Sequence, residues 1–141
     1  MIKKVDHIAI VVRSIKEALQ VYEGALGLEL TDVKEVPEQA VRVAFLPVGE
    51  SEIELLEPLT TDTSTKLGTG GGVAKFLEKR GEGLHHICFE VEDIEAALRD
   101  LAARGIRLID EQPRRGALGR VAFLHPKSAH GVLIELIEKP R

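Results

Sequence analysis

The chain has 141 residues, 44% of them hydrophobic and 30% charged, with a formal net charge of −4. That length and balance suit one soluble domain with a buried core, and no apolar run approaches the roughly 20 residues that span a bilayer. The acidity and the 4% aromatic content exclude a basic platform that stacks nucleic-acid bases. The single cysteine, Cys88, permits neither an internal disulfide nor a thiolate zinc cluster. A reducing, cytoplasmic setting is therefore expected, and any metal must be held by histidine and carboxylate.

In chain order, the β-branched, apolar residues 4–12 predict a strand. Ile15, Ala18, Leu19, Tyr22 and Leu26 recur at helical spacing over 14–25, with Ser14 as N-cap and Gly24 or Gly27 near the stop. Strands are expected at 28–36, 40–48 and 51–57. Residues 60–83 read as a connector, with a glycine run at 68–72 and a short helix at 73–80. The run lacks the spacing of a phosphate-binding loop. A strand at 84–91 follows, then a helix at 93–104 capped by Asp93 and stopped by Gly105. Strands at 106–110, 120–125 and 131–138 complete the chain.

The two halves repeat. His7-Ile8-Ala9-Ile10-Val11-Val12 resembles His86-Ile87-Cys88-Phe89-Glu90-Val91, 79 residues on. Ile15, Ala18 and Leu19 match Ile94, Ala97 and Leu98 at the same offset. Phe45-Leu46 matches Phe123-Leu124, and Ile53-Glu54-Leu55-Leu56-Glu57 matches Ile134-Glu135-Leu136-Ile137-Glu138. One domain is thus built from two βαβββ modules, at about 1–59 and 84–141.

Polar residues that interrupt apolar strands come next. His7 shares a strand face with Val5, Ala9 and Val11, and His86 takes the matching place in the second module. Glu54 and Glu135 sit inside aliphatic runs, where a carboxylate is costly unless it is paired, metal-bound or wet. A lone histidine in an apolar strand is ordinarily a packing residue, and a lone strand glutamate ordinarily faces solvent. The same His–Glu pair at matched positions of a repeat points elsewhere. A pseudo-twofold arrangement would converge His7, Glu54, His86 and Glu135 on one divalent ion, Co, Mn, Ni, Zn or Fe. By parity His85 faces away, Asp6 points to the other strand face and has no orienting role, and Cys88 is core packing. His125 and His130 read as turn residues.

The chain resembles the vicinal oxygen chelate superfamily and, within it, the methylmalonyl-CoA epimerase family. The resemblance rests on Asp6-His7-Ile8-Ala9-Ile10, Pro37-Glu38-Gln39, Glu54-Leu55-Leu56-Glu57-Pro58-Leu59, Gly83-Leu84-His85-His86-Ile87, His125-Pro126-Lys127-Ser128 and Gly131-Val132-Leu133-Ile134-Glu135-Leu136. It implies an α+β fold of paired βαβββ modules forming a cupped mixed sheet around a metal, cobalt above all. It also implies epimerisation of methylmalonyl-CoA between its 2R and 2S forms by 1,1-proton transfer, and a homodimer.

Glu135 is the expected base, with a pKa raised toward neutrality by its apolar strand, and Glu54 the expected partner from the opposite face. Some members of the family carry a second acid/base glutamate at the position of Val43. Valine holds no proton, which leaves Glu54, Glu38, a bound water or a histidine as second carrier. Arg114, Arg115 and Lys127, with Arg120 nearby, are the cations expected to meet the phosphates of coenzyme A. The alternatives are a glyoxalase I-like lyase acting on a glutathione hemithioacetal, and a metal-free binding module of the same fold.

Overall fold

A computed structural model of the chain describes residues 1–60 and 72–140. Most of the expected glycine run, residues 68–71, lies outside them. The order is β1 (Ile2–Val11), α1 (Ile15–Leu19), β2 (Asp32–Val36), β3 (Val41–Val48), β4 (Ser51–Pro58), α2 (Gly72–Arg80), β5 (Gly83–Val91), α3 (Ile94–Ala103), β6 (Arg114–Arg115), β7 (Arg120–Leu124) and β8 (Leu133–Glu138). The α+β class is as expected, and no helix among the described residues is long and apolar enough to cross a membrane. Packing divides the chain into two compact units, Met1–His7 with His86–Arg141, and Ile8–His85.

In the unit of residues 8–85, β2, β3 and β4 pair antiparallel. Both faces of β3 are covered, because alternate residues point opposite ways. Val41 and Val43 pack with Ala9, Val11, Leu56 and the α2 residues Val73, Phe76 and Leu77. Ala44 and Leu46 pack with Ile15, Ala18, Leu19 and Tyr22. Val43, 6% exposed, is thus a core residue.

In the other unit β5 runs parallel to β8, β8 antiparallel to β7, and β7 antiparallel to β6. One face of this sheet is closed by α3. Ile94, Ala97 and Leu98 bury against Val91, Ala122, Leu124 and Leu136. Alternation then turns Phe123 and Glu135, which stand opposite each other on β7 and β8, to the other face.

The same device starts a helix in each unit. Ser14 Oγ accepts from Glu17 N at 3.1 Å, and Asp93 Oδ1 accepts from Ala96 N at 3.0 Å, as the caps predicted. A second acceptor comes from each module's last strand: Ile15 N donates to Glu57 Oε1 at 2.8 Å, and Ile94 N to Glu138 Oε1 at 2.9 Å. An arginine opposite in register holds each of these glutamates, Arg42 on Glu57 and Arg120 on Glu138.

Three expected elements differ. The helix predicted over 14–25 is α-helical only to Leu19 and continues as a π-helical segment, Gln20–Ala25, with Leu26 N bonded to Val21 O at 2.8 Å. The strand expected from 28 begins at Asp32. The strand expected at 106–110 is reduced to one bridge, Leu108 to Leu124, while the pair Arg114–Arg115 forms a strand instead. The reason is local: Ile109 N and Asp110 N both donate to Phe123 O, and the Asp110 carboxylate takes Phe123 N at 2.9 Å. Side chain and doubled donors use up the groups a regular ladder needs.

Candidate metal centre

The parallel register of β5 and β8 sets Cys88 beside Glu135 and His86 beside Leu133. His86 lies two residues before Cys88, so it shares a face with Glu135 across the strand pair. His7, from β1, joins them. The Nε2 atoms of His7 and His86 are 3.1 Å apart, and Glu135 Oε1 lies 3.3 Å from the first and 3.2 Å from the second. All three residues are buried.

A metal–ligand bond of about 2.1 Å sets neighbouring ligands about 3.0 Å apart in an octahedron and about 3.4 Å apart in a tetrahedron. The observed triangle falls between those edges. Its donors are two imidazole nitrogens and one carboxylate oxygen, the set that suits a first-row divalent ion. The residues present therefore fit such an ion, with coordination positions left for oxygen ligands.

Asp6 departs from its expected role. Its Oδ2 lies 2.8 Å from His7 Nδ1, and its Oδ1 lies 2.5 Å from Lys139 Nζ. Alternation governs the Cα–Cβ directions of neighbouring strand residues but does not keep their tips apart, and these two side chains meet. Burial alone would raise the Asp6 carboxyl, yet the His7 and Lys139 contacts hold it down at about 2. Asp6 was detectable in the sequence by the criterion applied to Glu135, a carboxylate in an apolar strand. Lys139 gave no signal, because nothing in its local pattern distinguishes it from a surface lysine.

The expected rise of the Glu135 pKa is also overturned. Burial pushes in that direction, but hydrogen bonds and charge from His7 and His86 bring the carboxyl to about 2. Burial pushes the Cys88 thiol up to about 12, in keeping with a packing role. Phe123, missed in the sequence, stands edge-on to the His86 ring at 5.9 Å and walls this corner.

Glu54 stands half-buried on β4, opposite Phe45, and Glu38 is exposed in a 3-10 turn. Arg114 pairs with Asp110 at 3.1 Å and lies over the Phe123 ring at 5.6 Å. Arg115 and Lys127 are exposed. Arg120 is engaged by Glu95 and Glu138 at 2.5 and 3.0 Å. His85 packs its ring on Phe76 at 5.0 Å. His125 Nδ1 accepts from Lys127 N, and His130 adopts the left-handed turn conformation.

Residues 6–123 match the family described as the Glyoxalase/Bleomycin resistance protein/Dioxygenase superfamily. The chain is 41% identical, over 96% of its length and 98% of the relative's, to the ethylmalonyl-CoA/methylmalonyl-CoA epimerase of Cereibacter sphaeroides. The crystal structure of methylmalonyl-CoA epimerase from Mycobacterium tuberculosis superposes with a TM-score of 0.82 at 37% identity, covering 99% of this chain and 90% of that one. A methylmalonyl-CoA epimerase in complex with methylmalonyl-CoA and NH4+ superposes with a TM-score of 0.81 at 36% identity, covering 99% and 96%.

Proposed function

The chain belongs to the Glyoxalase/Bleomycin resistance protein/Dioxygenase superfamily, and from that premise we propose that it interconverts the 2R and 2S forms of methylmalonyl-CoA by 1,1-proton transfer at C2. The observation that carries the reading is the corner of His7, His86 and Glu135, whose spacing and donor types suit one divalent ion. C2 lies between a thioester and a carboxylate, so its proton is weakly acidic. His7, His86 and Glu135 would hold a divalent ion, which would supply Lewis-acid stabilisation of the negative charge that develops when C2 loses its proton.

Glu135 keeps Oε1 against the two histidines. We assign its other oxygen to take the C2 proton. The repeat nominates Glu54 as fourth ligand and as the carrier that returns the proton from the opposite face. The exposed Arg115 and Lys127, with Arg114 beside them in sequence, are assigned to the phosphates of coenzyme A. A cobalt-loaded, cytoplasmic homodimer completes the reading.

Proton NMR of single-epimer methylmalonyl-CoA in deuterated buffer tests it. The expected result is scrambling of C2 with deuterium uptake, lost after chelation and restored by a divalent ion. Glu135→Gln should slow exchange at least ~100-fold while ester binding persists. Unchanged exchange would remove Glu135 as a proton carrier. Turnover of a glutathione hemithioacetal in place of the CoA ester would redirect the assignment to lyase chemistry. Ethylmalonyl-CoA measured alongside gives the size of C2 substituent accepted.

A further inference from the structure

Behind His7, on the side away from the ligand triangle, a buried carboxylate pairs with a partly exposed lysine. Asp6 Oδ2 meets His7 Nδ1 at 2.8 Å, and Asp6 Oδ1 meets Lys139 Nζ at 2.5 Å. The Asp6 and His7 side chains are each about one-tenth exposed. We propose that Asp6 and Lys139 are a positioning pair that holds His7 in the single tautomer presenting Nε2 to the metal.

The argument is one of donors and acceptors. A carboxylate paired with a lysine only accepts, so the hydrogen on the Asp6–His7 contact belongs to Nδ1. In the neutral ring the Nε2 lone pair then points toward His86 Nε2 and Glu135 Oε1. Two lone-pair donors and a carboxylate oxygen so close together repel one another unless a cation, a proton or an ion, sits among them. The Asp6 bond selects the tautomer that suits the ion and makes Nε2 a stronger ligand. Lys139 fixes the plane of the Asp6 carboxylate and offsets a charge that burial would otherwise make costly. Its place is informative: Lys139 follows directly on β8, four residues beyond Glu135. One stretch of chain thus supplies a ligand and, through Lys139, holds the support of another.

This inference rests on the reading of the triangle as a metal site, and the test separates the two. In metal-free protein, long-range proton–nitrogen correlation spectra report the tautomer of His7. Wild type should show one form, protonated at Nδ1. Asp6→Asn should show a mixture or the opposite form, because an amide offers a donor as well as an acceptor. Divalent-ion affinity, measured by competition with a chromophoric chelator, should fall ~10–100-fold in Asp6→Asn. In Lys139→Met it should fall several-fold, with melting temperature recorded for each. Lys3→Met, which breaks the neighbouring Lys3–Glu90 pair, should change neither readout.

Wild-type tautomer and wild-type affinity in Asp6→Asn would overturn the proposal. If that variant does not fold, the same pair of unchanged readouts in Lys139→Met overturns it. A wild-type chain that binds no divalent ion would defeat the reading of the triangle, and the tautomer measurement would still decide this inference.

Discussion

The two N-capped helices start in the same way, and the two buried histidines are supported in different ways. Ile15 N is held by Glu57 and Ile94 N by Glu138, each glutamate gripped by an arginine of the adjoining strand. The cap residues Ser14 and Asp93 differ in identity but accept at the same place. The residue preceding each histidine has no such equivalence. Asp6 bonds His7, whereas His85, its counterpart 79 positions on, stacks on Phe76. A duplicated scaffold can satisfy the same backbone donors twice with the same parts. The residue beside each histidine answers to its own surroundings, so there the copies differ.

The largest stability effect is expected where the scaffold copies part company. Gly119 precedes Arg120 as Val41 precedes Arg42. A Cβ at Gly119 would stand 2.3 Å from the Glu138 carbonyl oxygen, against backbone that cannot yield. Gly119→Ala should therefore cost about 3 kcal/mol in urea unfolding. A cost near zero would show that β7 and β8 can part without loss.

Acid should separate the units next. Asp6 and Glu135 both titrate near 2 in the folded chain, against about 4 when unfolded. The unfolded state therefore binds more protons between those values. The stability these groups lend is complete above about pH 5 and drains as pH falls through 4 toward 2. The loss is on the order of 2 kcal/mol for each group in metal-free protein. Both residues belong to the unit containing β5 and β8. Hydrogen exchange at pH 3 should accordingly deprotect β5 and β8 before β3 and β4, and the reverse order would contradict the assignment.

The smallest effects test equivalence itself. Glu57→Ala and Glu138→Ala each remove a charged acceptor from a helix-starting amide, at a cost of about 1–2 kcal/mol. The two losses should agree within about 0.5 kcal/mol in denaturant titrations. A larger gap would mean that the arginine–glutamate pair has been put to another use in one unit.

Much of this was legible in the sequence. Strands β1, β3, β4, β5 and β7 were readable because buried strands spell themselves in β-branched runs, and both caps because Ser14 and Asp93 stand just before helical spacing begins. The convergence of His7, His86 and Glu135 was legible through the repeat, which converts two unremarkable histidines into a pair. The π-helical segment was not, since a periodicity near 3.6 does not report which carbonyl an amide selects. Nor was the loss of the 106–110 strand, where the Asp110 side chain competes with the ladder. Asp6 was misread for a related reason: alternation fixes where a side chain leaves the backbone and says little about where a carboxylate ends. The low Glu135 pKa depended on a contact with His7, more than a hundred residues away in sequence.

β8 spans six residues, and its immediate surroundings carry Glu135 for the site, Glu138 for the α3 amide and Lys139 for Asp6. These tasks depend on spacing more than on composition. A conservative exchange at Leu136 or Ile137 leaves every assignment in place. Inserting or deleting one residue between Leu133 and Lys139 preserves a well-formed apolar strand, yet turns its functional side chains out of phase with their partners. Around this strand, variants that change length are expected to be far less tolerated than variants that change identity.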